Sequence, residues 1–298
     1  MLRVRPFAGP TGRPSEGGRS INRWALLAFP TIGLLVVFFL APLILMAARS
    51  VTDPPNAGLS NYEEFFLSAA DVRVLGNTFY IATISTIVCL LIGYPYAYLM
   101  HVVPPRVAGL LLIAVLVPFW SSLLVRTFAW EVILRDTGVI NSLLLSWGVI
   151  KEPLALIRNT LGVILGMSQI LLPFMVLPLY AVMRRIDPDY GQAAANLGAS
   201  PAASFRRVFF PLSLPGVAAG TLLVFVLALG FYITPTILGS PRETMISRFI
   251  ADQIQTRLDW GLGSAMAVIL MILTFVALGL ASRVVRLRDV FGAAGDES

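Results

Sequence analysis

The sequence predicts an all-α, polytopic membrane protein with six transmembrane helices and, on the side that holds both termini, a compact helix–turn–helix. Three observations predict it. The chain is 57% apolar and 13% charged, with a mean hydropathy of +0.82, where a soluble domain carries about 25% charged residues. Six stretches are long and apolar enough to cross a hydrocarbon layer about 30 Å thick, which takes roughly 20 helical residues. The basic residues are sorted to one side of those stretches.

The spans are residues 24–48, 77–100, 107–128, 160–183, 216–239 and 263–282. Ahead of them, 1–23 is polar and Arg-rich. The apolar run behind it is too long for a signal core and lacks a small-residue cleavage pattern, so 1–23 reads as a retained basic segment. The loop 49–76 holds an acidic-aromatic patch, Tyr62, Glu63, Glu64, Phe65 and Phe66. Residues 101–106 are a minimal link with Pro104 and Pro105, which predicts a tight hairpin between spans two and three. The loops 129–159 and 240–262 are also long and mixed, and short interfacial helices are expected in all three of these loops; the run 143–150 cannot span. Pro30, Pro42, Pro95, Pro118, Pro173, Pro178 and Pro235 fall within spans, with Gly93, Gly162, Gly166 and Gly230. Each proline removes a backbone hydrogen bond and is tolerated where neighbouring helices or water rescue the freed carbonyl. So many favour a mobile bundle with an internal cavity.

Six spans put both termini on one side, and charge says which. That side holds 13 basic and 6 acidic residues, a net of +7, against 9 basic and 10 acidic on the other, a net of −1. The positive-inside rule places both termini and the loop 184–215 in the cytoplasm. The overall charge of +6 is therefore topological and does not imply a nucleic-acid partner. Cys89 and His101 are the only cysteine and histidine, so an intrachain disulfide and a His-pair metal site are excluded, and neither metal nor cofactor is expected.

The loop 184–215 is too ordered in pattern to be a mere connector. Asp187-Pro188-Asp189 can cap and open a helix, YGQAAANLG continues it with three alanines, and Gly198 stands where a left-handed C-terminal residue is wanted. Ser200-Pro201 opens a second short helix, whose apolar face is Phe205, Val208, Phe209 and Leu212 and whose wet side carries Arg206 and Arg207. Pro211 and Pro215 are expected to bend the chain back into span five. An interfacial helix that parks two arginines on lipid phosphates is the plainer reading of this segment.

QAAANLGASPAASFRRVFFPLSLPG resembles the EAA loop of permease subunits of binding-protein-dependent ABC importers. That pattern runs E-A-A, three residues, Gly, nine residues, a hydrophobic residue, one residue, Leu-Pro. Ala193 and Ala194 match its alanines and Gly198 its glycine; Leu212 is read as its hydrophobic position and Leu214-Pro215 as its final pair. Its Glu is replaced by Gln192, with Asp189 one turn earlier. GYPYAYLM, PFWSSLLVRTFAW, LLPFMVLPLY and ALGFYITPTILGS are similar to the spermidine/putrescine branch, in particular its first permease subunit. The resemblance covers most of 24–285. It implies a six-helix permease domain at 24–285 between a cytoplasmic segment 1–23 and a tail 286–298, in a bacterial inner membrane. It also implies cytoplasmic ATP-binding subunits, a second homologous permease and a periplasmic solute-binding protein as partners, with membrane lipid and a small solute. On this resemblance the coupling residues are Asp189, Gln192, Ala193, Ala194, Gly198, Arg206, Arg207, Leu214 and Pro215.

A polyamine is a flexible polycation, and its path should offer carboxylates, carbonyls or aromatic faces. Trp120, Trp130, Glu131, Phe231 and Tyr232 are the candidates, at the ends and breaks of spans three and five. Glu131 has a competing use as the partner of Arg126 or Arg135. Arg126 keeps amino-acid-like, opine or phosphonate solutes open. The chain has no G-x-x-x-x-G-K-[ST] phosphate loop, so ATP hydrolysis is expected in a separate chain and this one is not expected to be an enzyme. An ion-coupled secondary transporter is the rival class, disfavoured by the want of a carboxylate deep in any span. No paired carboxylates, His/Cys cluster or nucleophile motif supports a membrane enzyme.

Overall fold

The computed structural model describes the backbone of residues 23–53 and 58–293, and the side chains of 29–53 and 58–280. The basic residues expected in 1–23, the side chains of the tail and residues 54–57 lie outside the described residues. The regular elements among the described residues are all helical. They are α1 (Arg23–Thr52), α2 (Ser60–Leu67), α3 (Ala69–Val102), α4 (Pro105–Leu116), α5 (Leu123–Leu134), α6 (Val139–Ser146), α7 (Thr160–Met183), α8 (Asp189–Asn196), α9 (Pro201–Ser204), α10 (Phe210–Leu229), α11 (Ile233–Leu238), α12 (Ile246–Asp252) and α13 (Trp260–Ala293). Five continuous helices are long and apolar enough to cross a membrane, and the bent pair of α4 with α5 and α6 brings the number to six where that pair counts as one span.

The chain divides into two units, 1–45 and 46–298. In the first, α1 exposes Phe29, Phe38 and Phe39 among many large apolar side chains, the surface of a helix whose solvent is lipid. In the second, α3, α7 and α10 form the central bundle. Cys89 and Gly93 of α3 meet Ser168 and Met175 of α7 in parallel order, whereas Gly216 and Gly220 of α10 meet Val182 and Met175 in antiparallel order. A methyl group added at Gly93 would lie 2.9 Å from Met175 Cγ, and one at Gly220 would lie 2.8 Å from Met175 Sδ and 3.1 Å from its carbonyl oxygen. Met175 is thus clasped between two glycines, and small residues let three backbones close on it. A smaller cluster joins Phe65 of α2 to Ile246, Leu262, Met266 and Ile269. There Asn61 donates to Ser50 O at 3.0 Å, and the Arg49 guanidinium lies 4.7 Å from the Trp260 ring centroid. The acidic-aromatic patch of loop 49–76 is therefore a short helix, as expected of these loops.

Two spans differ from their expectation. The span foreseen over 107–128, with Pro118 as a breaker, is split outright: α4 runs into a 3₁₀ turn (Val117–Trp120), the chain extends at Ser121 and Ser122, and the second half leaves at 98°. Pro118 cannot donate to the ladder, and its carbonyl accepts both the Ser121 N–H at 3.2 Å and the Ser121 hydroxyl at 2.8 Å, which closes the turn. The helix foreseen over 216–239 ends at Leu229. Gly230–Tyr232 turn the chain into α11, which packs on α5 with Thr127 Oγ1 and Thr234 Oγ1 3.3 Å apart.

The turn after α11 is tied down by Glu243. Its carboxylate accepts from the Ser240 N–H at 2.8 Å, from the Ser240 hydroxyl, and from Thr160 Oγ1 at 3.1 Å, so it closes a capping box and anchors the start of α7. Burial pushes this carboxyl up; the Ser240 and Thr160 bonds together outweigh burial and hold it below its ordinary value of 4.5.

Gly220→Val should wedge α10 off α7 and destabilise the protein by about 1–3 kcal/mol, whereas Gly109→Ala, where an added methyl meets nothing within 4 Å, should be neutral. Thermal melting of the purified protein measures both, and equal melting temperatures would remove the clasp. A carboxyl held low stabilises the fold above its unfolded pKa and loses that contribution as pH falls through the folded value. Glu243→Gln should therefore cost about 1–3 kcal/mol at neutral pH and flatten the loss of stability that the wild type shows below pH 4.5. Matching acid sensitivity in the two proteins would clear Glu243 of that role.

Candidate functional site

The 184–215 segment builds its corner from local rules. Asp187 Oδ1 accepts the Asp189 N–H at 3.0 Å, and α8 begins at Asp189. Gly198 takes φ +84°, and the N–H groups of Gly198 and Ala199 close on the carbonyls of Ala195 and Ala194 at 2.9 and 3.0 Å. This is the left-handed helix stop that the sequence predicts. Ser200 Oγ then accepts from Ala203 N at 3.3 Å, with Pro201 in the first turn.

Beyond that corner the chain departs from expectation. The second helix is not a separate piece bent by Pro211 and Pro215. Residues Pro201–Leu229 form one continuous helix of 29 residues, with a π turn at Phe205–Phe209. The π turn bonds Phe210 N–H to Phe205 O. The missing N–H of Pro211 falls just where the ladder returns to α spacing, so the proline does not break the helix. The extra residue also rotates the face that follows. Leu212, expected inside, is exposed, and Ser213 is fully buried with its hydroxyl 2.9 Å from Tyr94 OH. Counting nine residues on from Gly198 reaches Val208, with Phe210-Pro211 in the place of the motif's Leu-Pro. Leu212 and Leu214-Pro215 are thus one turn out of register, and the last two lie inside α10.

Asp189, Gln192 and Ala193 are exposed on α8, Ala194 is half-buried, and Arg206 and Arg207 face outward from the π turn. Tyr190 and Leu197 are exposed as well, Leu197 at 89%. The inner side of the corner is welded to the end of α3 by aromatic contacts absent from the sequence reading. Tyr98 meets Phe205 and Phe209 edge-on at 5.2 and 5.1 Å, His101 meets Phe209 at 5.0 Å, and Tyr94 meets Phe210 at 5.8 Å. Such pairs contribute about 0.5–1.5 kcal/mol each beyond area. Tyr94, Tyr98 and His101 repeat at i, i+4, i+7, a one-face pattern that could have revealed the weld. A cavity of about 400 Å³ lies between α8 and this weld, lined in part by Tyr98, His101, Asp187, Tyr190 and Phe209.

The residues foreseen for a solute path lie on neighbouring elements. Trp130 donates its indole N–H to Gln169 of α7 at 3.4 Å, and both Trp130 and Phe231 pack on the central core. Trp120 is 80% exposed at the break before α5, and Tyr232 is exposed in the break before α11. Glu131 is committed to Arg135, one turn on, at 2.6 Å. No hydrogen bond or ring contact joins Trp120, Glu131 and Tyr232 among the described residues. No group of three or more potential metal ligands occurs among the described residues.

Comparison with known proteins identifies the architecture. Residues 91–289 match the family described as binding-protein-dependent transport system inner membrane component. The spermidine/putrescine transport system permease protein PotB of Haemophilus influenzae is 33% identical over 246 residues, covering 80% of this chain and 86% of that protein. PotB of Escherichia coli is 34% identical over 248 residues, covering 81% and 90%. A solved bacterial alginate ABC transporter, in complex with its alginate-pentasaccharide-bound periplasmic protein, shares the fold with a TM-score of 0.71 at 19% identity, over 87% of this chain and 92% of that one. The chain belongs to the family of binding-protein-dependent transport system inner membrane components, and is an all-α, multi-pass permease of the inner membrane.

The corner at Gly198 is open to test independently of transport. A side chain there meets nothing within 4 Å, so Gly198→Val is opposed only by the left-handed backbone. The cost of about 1–2 kcal/mol should speed trypsin cleavage at Arg184-Arg185 and Arg206-Arg207 by roughly tenfold, with Gly198→Asn much less affected. Equal cleavage of all three proteins would show that the corner does not depend on this residue.

Proposed function

We propose that this permease forms half of the solute path of an ATP-driven importer for a polyamine, with a second homologous permease completing the path. The observation that carries the reading is the identity of one residue in three with PotB proteins over some four-fifths of the chain. On this reading two ATP-binding subunits act from the cytoplasm and a periplasmic binding protein delivers the solute. The chain itself hydrolyses nothing: its one lysine, Lys151, follows Ile150, so no Gly-Lys phosphate loop exists in it. The charge split of +7 against −1 supports cytoplasmic termini, with a basic segment at 1–23, the permease domain at 24–285 and a tail at 286–298.

The corner supplies a route for force. An ATP-binding subunit docks on the outer side of α8 through Asp189, Gln192, Ala193 and Ala194, with Arg206 and Arg207 at the rim. Gly198 and Ser200 make α8 and α9 a single rigid corner. From there the force divides. One branch enters α3 through the Tyr94, Tyr98 and His101 contacts. The other runs along the helix Pro201–Leu229, 29 residues or about 43 Å long, to the turn at Gly230–Tyr232. That turn and α11 lie against α5, beside Trp130. Movement of α10 thus reaches the broken helices where Trp120, Trp130, Phe231 and Tyr232 stand. Glu131, held by Arg135, shapes this region and does not meet the solute directly.

The test is reconstitution. Proteoliposomes holding the two permeases and the ATPase, supplied with the binding protein, should take up spermidine only with ATP inside the compartment of the nucleotide-binding subunits. Ala194→Asp should leave assembly in the membrane intact and lower uptake at least tenfold. In cells, Leu197→Cys should resist an impermeant thiol reagent and Glu152→Cys should react, each in a Cys89→Ser background. Uptake driven by a proton gradient without ATP would overturn the importer reading, and labelling of Leu197→Cys from outside would overturn the topology.

A further inference from the structure

The inner side of the corner holds a cavity that the docking surface does not use. At about 400 Å³ it falls within the range of small-molecule sites, roughly 300–1,000 Å³. The end of α3 supplies Tyr98 and His101 to its wall, the start of the helix Pro201–Leu229 supplies Phe205 and Phe209, and the entry to α8 supplies Asp187 and Tyr190. From α8 and its cap come Pro188, Gly191 and Ala195. These three stand at i, i+3 and i+7, on one helix face, whereas Asp189 and Ala193 stand on the opposite face. The cavity is thus separate from the face proposed to meet the ATP-binding subunit.

Its chemistry is one carboxylate among aromatic rings. Asp187 is exposed and accessible, its Oδ1 accepts the Asp189 N–H at 3.0 Å, and it has no ion pair among the described residues. Arg184, Arg185, Arg206 and Arg207 are close in sequence, yet none of them lines the cavity. Two helix ends meet there. The first turn of α8 carries about half a positive charge and the last turn of α3, which stops at Val102, about half a negative one. These roughly cancel and leave the Asp187 carboxylate as the net charge. An anion is repelled by it, and a hydrated inorganic cation makes no use of the rings. A cation that carries an alkyl chain is answered by both, since ring faces attract ammonium groups and cover methylenes.

We infer that this cavity is a binding site for a small alkylammonium ion, with the ammonium at Asp187 and the chain along the rings of Tyr98 and its neighbours. A ligand so placed bridges the entry of α8 to the end of α3 and stiffens the inner side of the corner. That the ion reaches the site from the cytoplasm, as an imported polyamine, rests on the function and topology proposed above. The binding chemistry rests on the cavity alone.

The complete importer in lipid nanodiscs, without ATP or binding protein, tests it with 1,4-diaminobutane as the probe. Saturation-transfer NMR should detect binding of this diamine and not of 1,4-butanediol, which has the same chain without the charge. Asp187→Asn removes the charge and keeps a side-chain acceptor for the start of α8. Gly191→Leu fills the cavity from the α8 side, where the first side-chain carbon would stand 4.0 Å from Ser204 Oγ. Each variant should weaken binding at least tenfold while the ATP-binding subunits still co-purify; if one variant loses them, the other decides. The diamine should also slow trypsin cleavage at Arg184-Arg185 in the wild type and not in the variants. No binding to the wild type, equal binding of the diol, or wild-type binding by an assembled variant each overturns the inference; diamine held only in the solute path gives the last of these. Failure of the polyamine reading shows separately, as absent ATP-driven spermidine uptake, and leaves the binding results readable.

Discussion

Met175 sits between Gly93 of α3 and Gly220 of α10, and the remainder of the fold is arranged around that contact. Between helices in lipid there is no hydrophobic gain to be had from simple association, since the surrounding chains are as apolar as the side chains. Close van der Waals contact has to hold the bundle, and Gly93 and Gly220 permit it by presenting bare backbone to one flexible thioether. Methionine suits the position because its three rotatable bonds let it fill a gap shaped by two neighbours. With α10 clamped to α7 and α3 in this way, both ends of the long helix Pro201–Leu229 acquire fixed places: the corner at one end and the turn at Gly230 at the other.

That clamp also explains how two backbone breaks persist inside a membrane protein. Irregular backbone in hydrocarbon exposes unpaired N–H and C=O groups, and it survives only where protein or water answers them. The break at Ser121 and Ser122 and the break at Gly230–Tyr232 fall on elements that pack together, α5 and α11. Serine and threonine hydroxyls answer part of the demand: Ser121 on Pro118, Thr127 on Leu123, Thr236 on Tyr232. Two broken segments set side by side in a bundle whose other long helices are continuous concentrate polar backbone in one place. A path for a charged solute needs that concentration, and it needs the neighbouring helices to be rigid.

The sequence speaks clearly where one residue obeys one local rule. The left-handed turn at Gly198, the Ser200 cap and the short helix in the loop 49–76 were all legible, because capping and turn geometry depend on a few adjacent residues. The five continuous spans were legible from hydropathy, and the remaining apolar stretch, 107–128, is the one that bends. What was not legible depends on bookkeeping along the whole helix. Seven prolines in spans look alike in sequence, yet Pro173 and Pro178 stay inside a continuous α7 while Pro118 accompanies a 98° bend. The difference is that Ser121 and Ser122 follow Pro118 and offer the chain an extended alternative. The π turn was hidden for the same reason: a single extra residue in a ladder leaves no mark on composition, but it exchanges Leu212 for Ser213 on the inner face. Arg126 and Glu131 were both visible as charges near a span. Only the structure separates Glu131, bonded to Arg135, from Arg126, whose Nε and Nη1 meet no hydrogen-bond partner among the described residues.

Gln192 raises the question of what holds a docking surface together when the motif's acidic group is absent. The exposed side of α8 is not rich in charge. Asp189 is its one acidic residue, and Ala193 and Ala194 leave it nearly flat. Its large exposed side chains are Tyr190 at 56% and Leu197 at 89%. On the proposed topology this surface faces water, where an open leucine next to a bare alanine step is unfavourable unless something covers it. An aromatic and an aliphatic anchor flanking a thin, backbone-rich strip is the arrangement that favours contact by shape, with charge supplying orientation at the rim. Arg206 and Arg207 are placed to supply it. A neutral amide at position 192 is tolerable on such a surface because it can both donate and accept, and so does not require a fixed counter-charge. On the proposed docking, specificity then resides in the rigid angle between α8 and α9. That angle depends on Gly198, and the aromatic weld to α3 carries it inward.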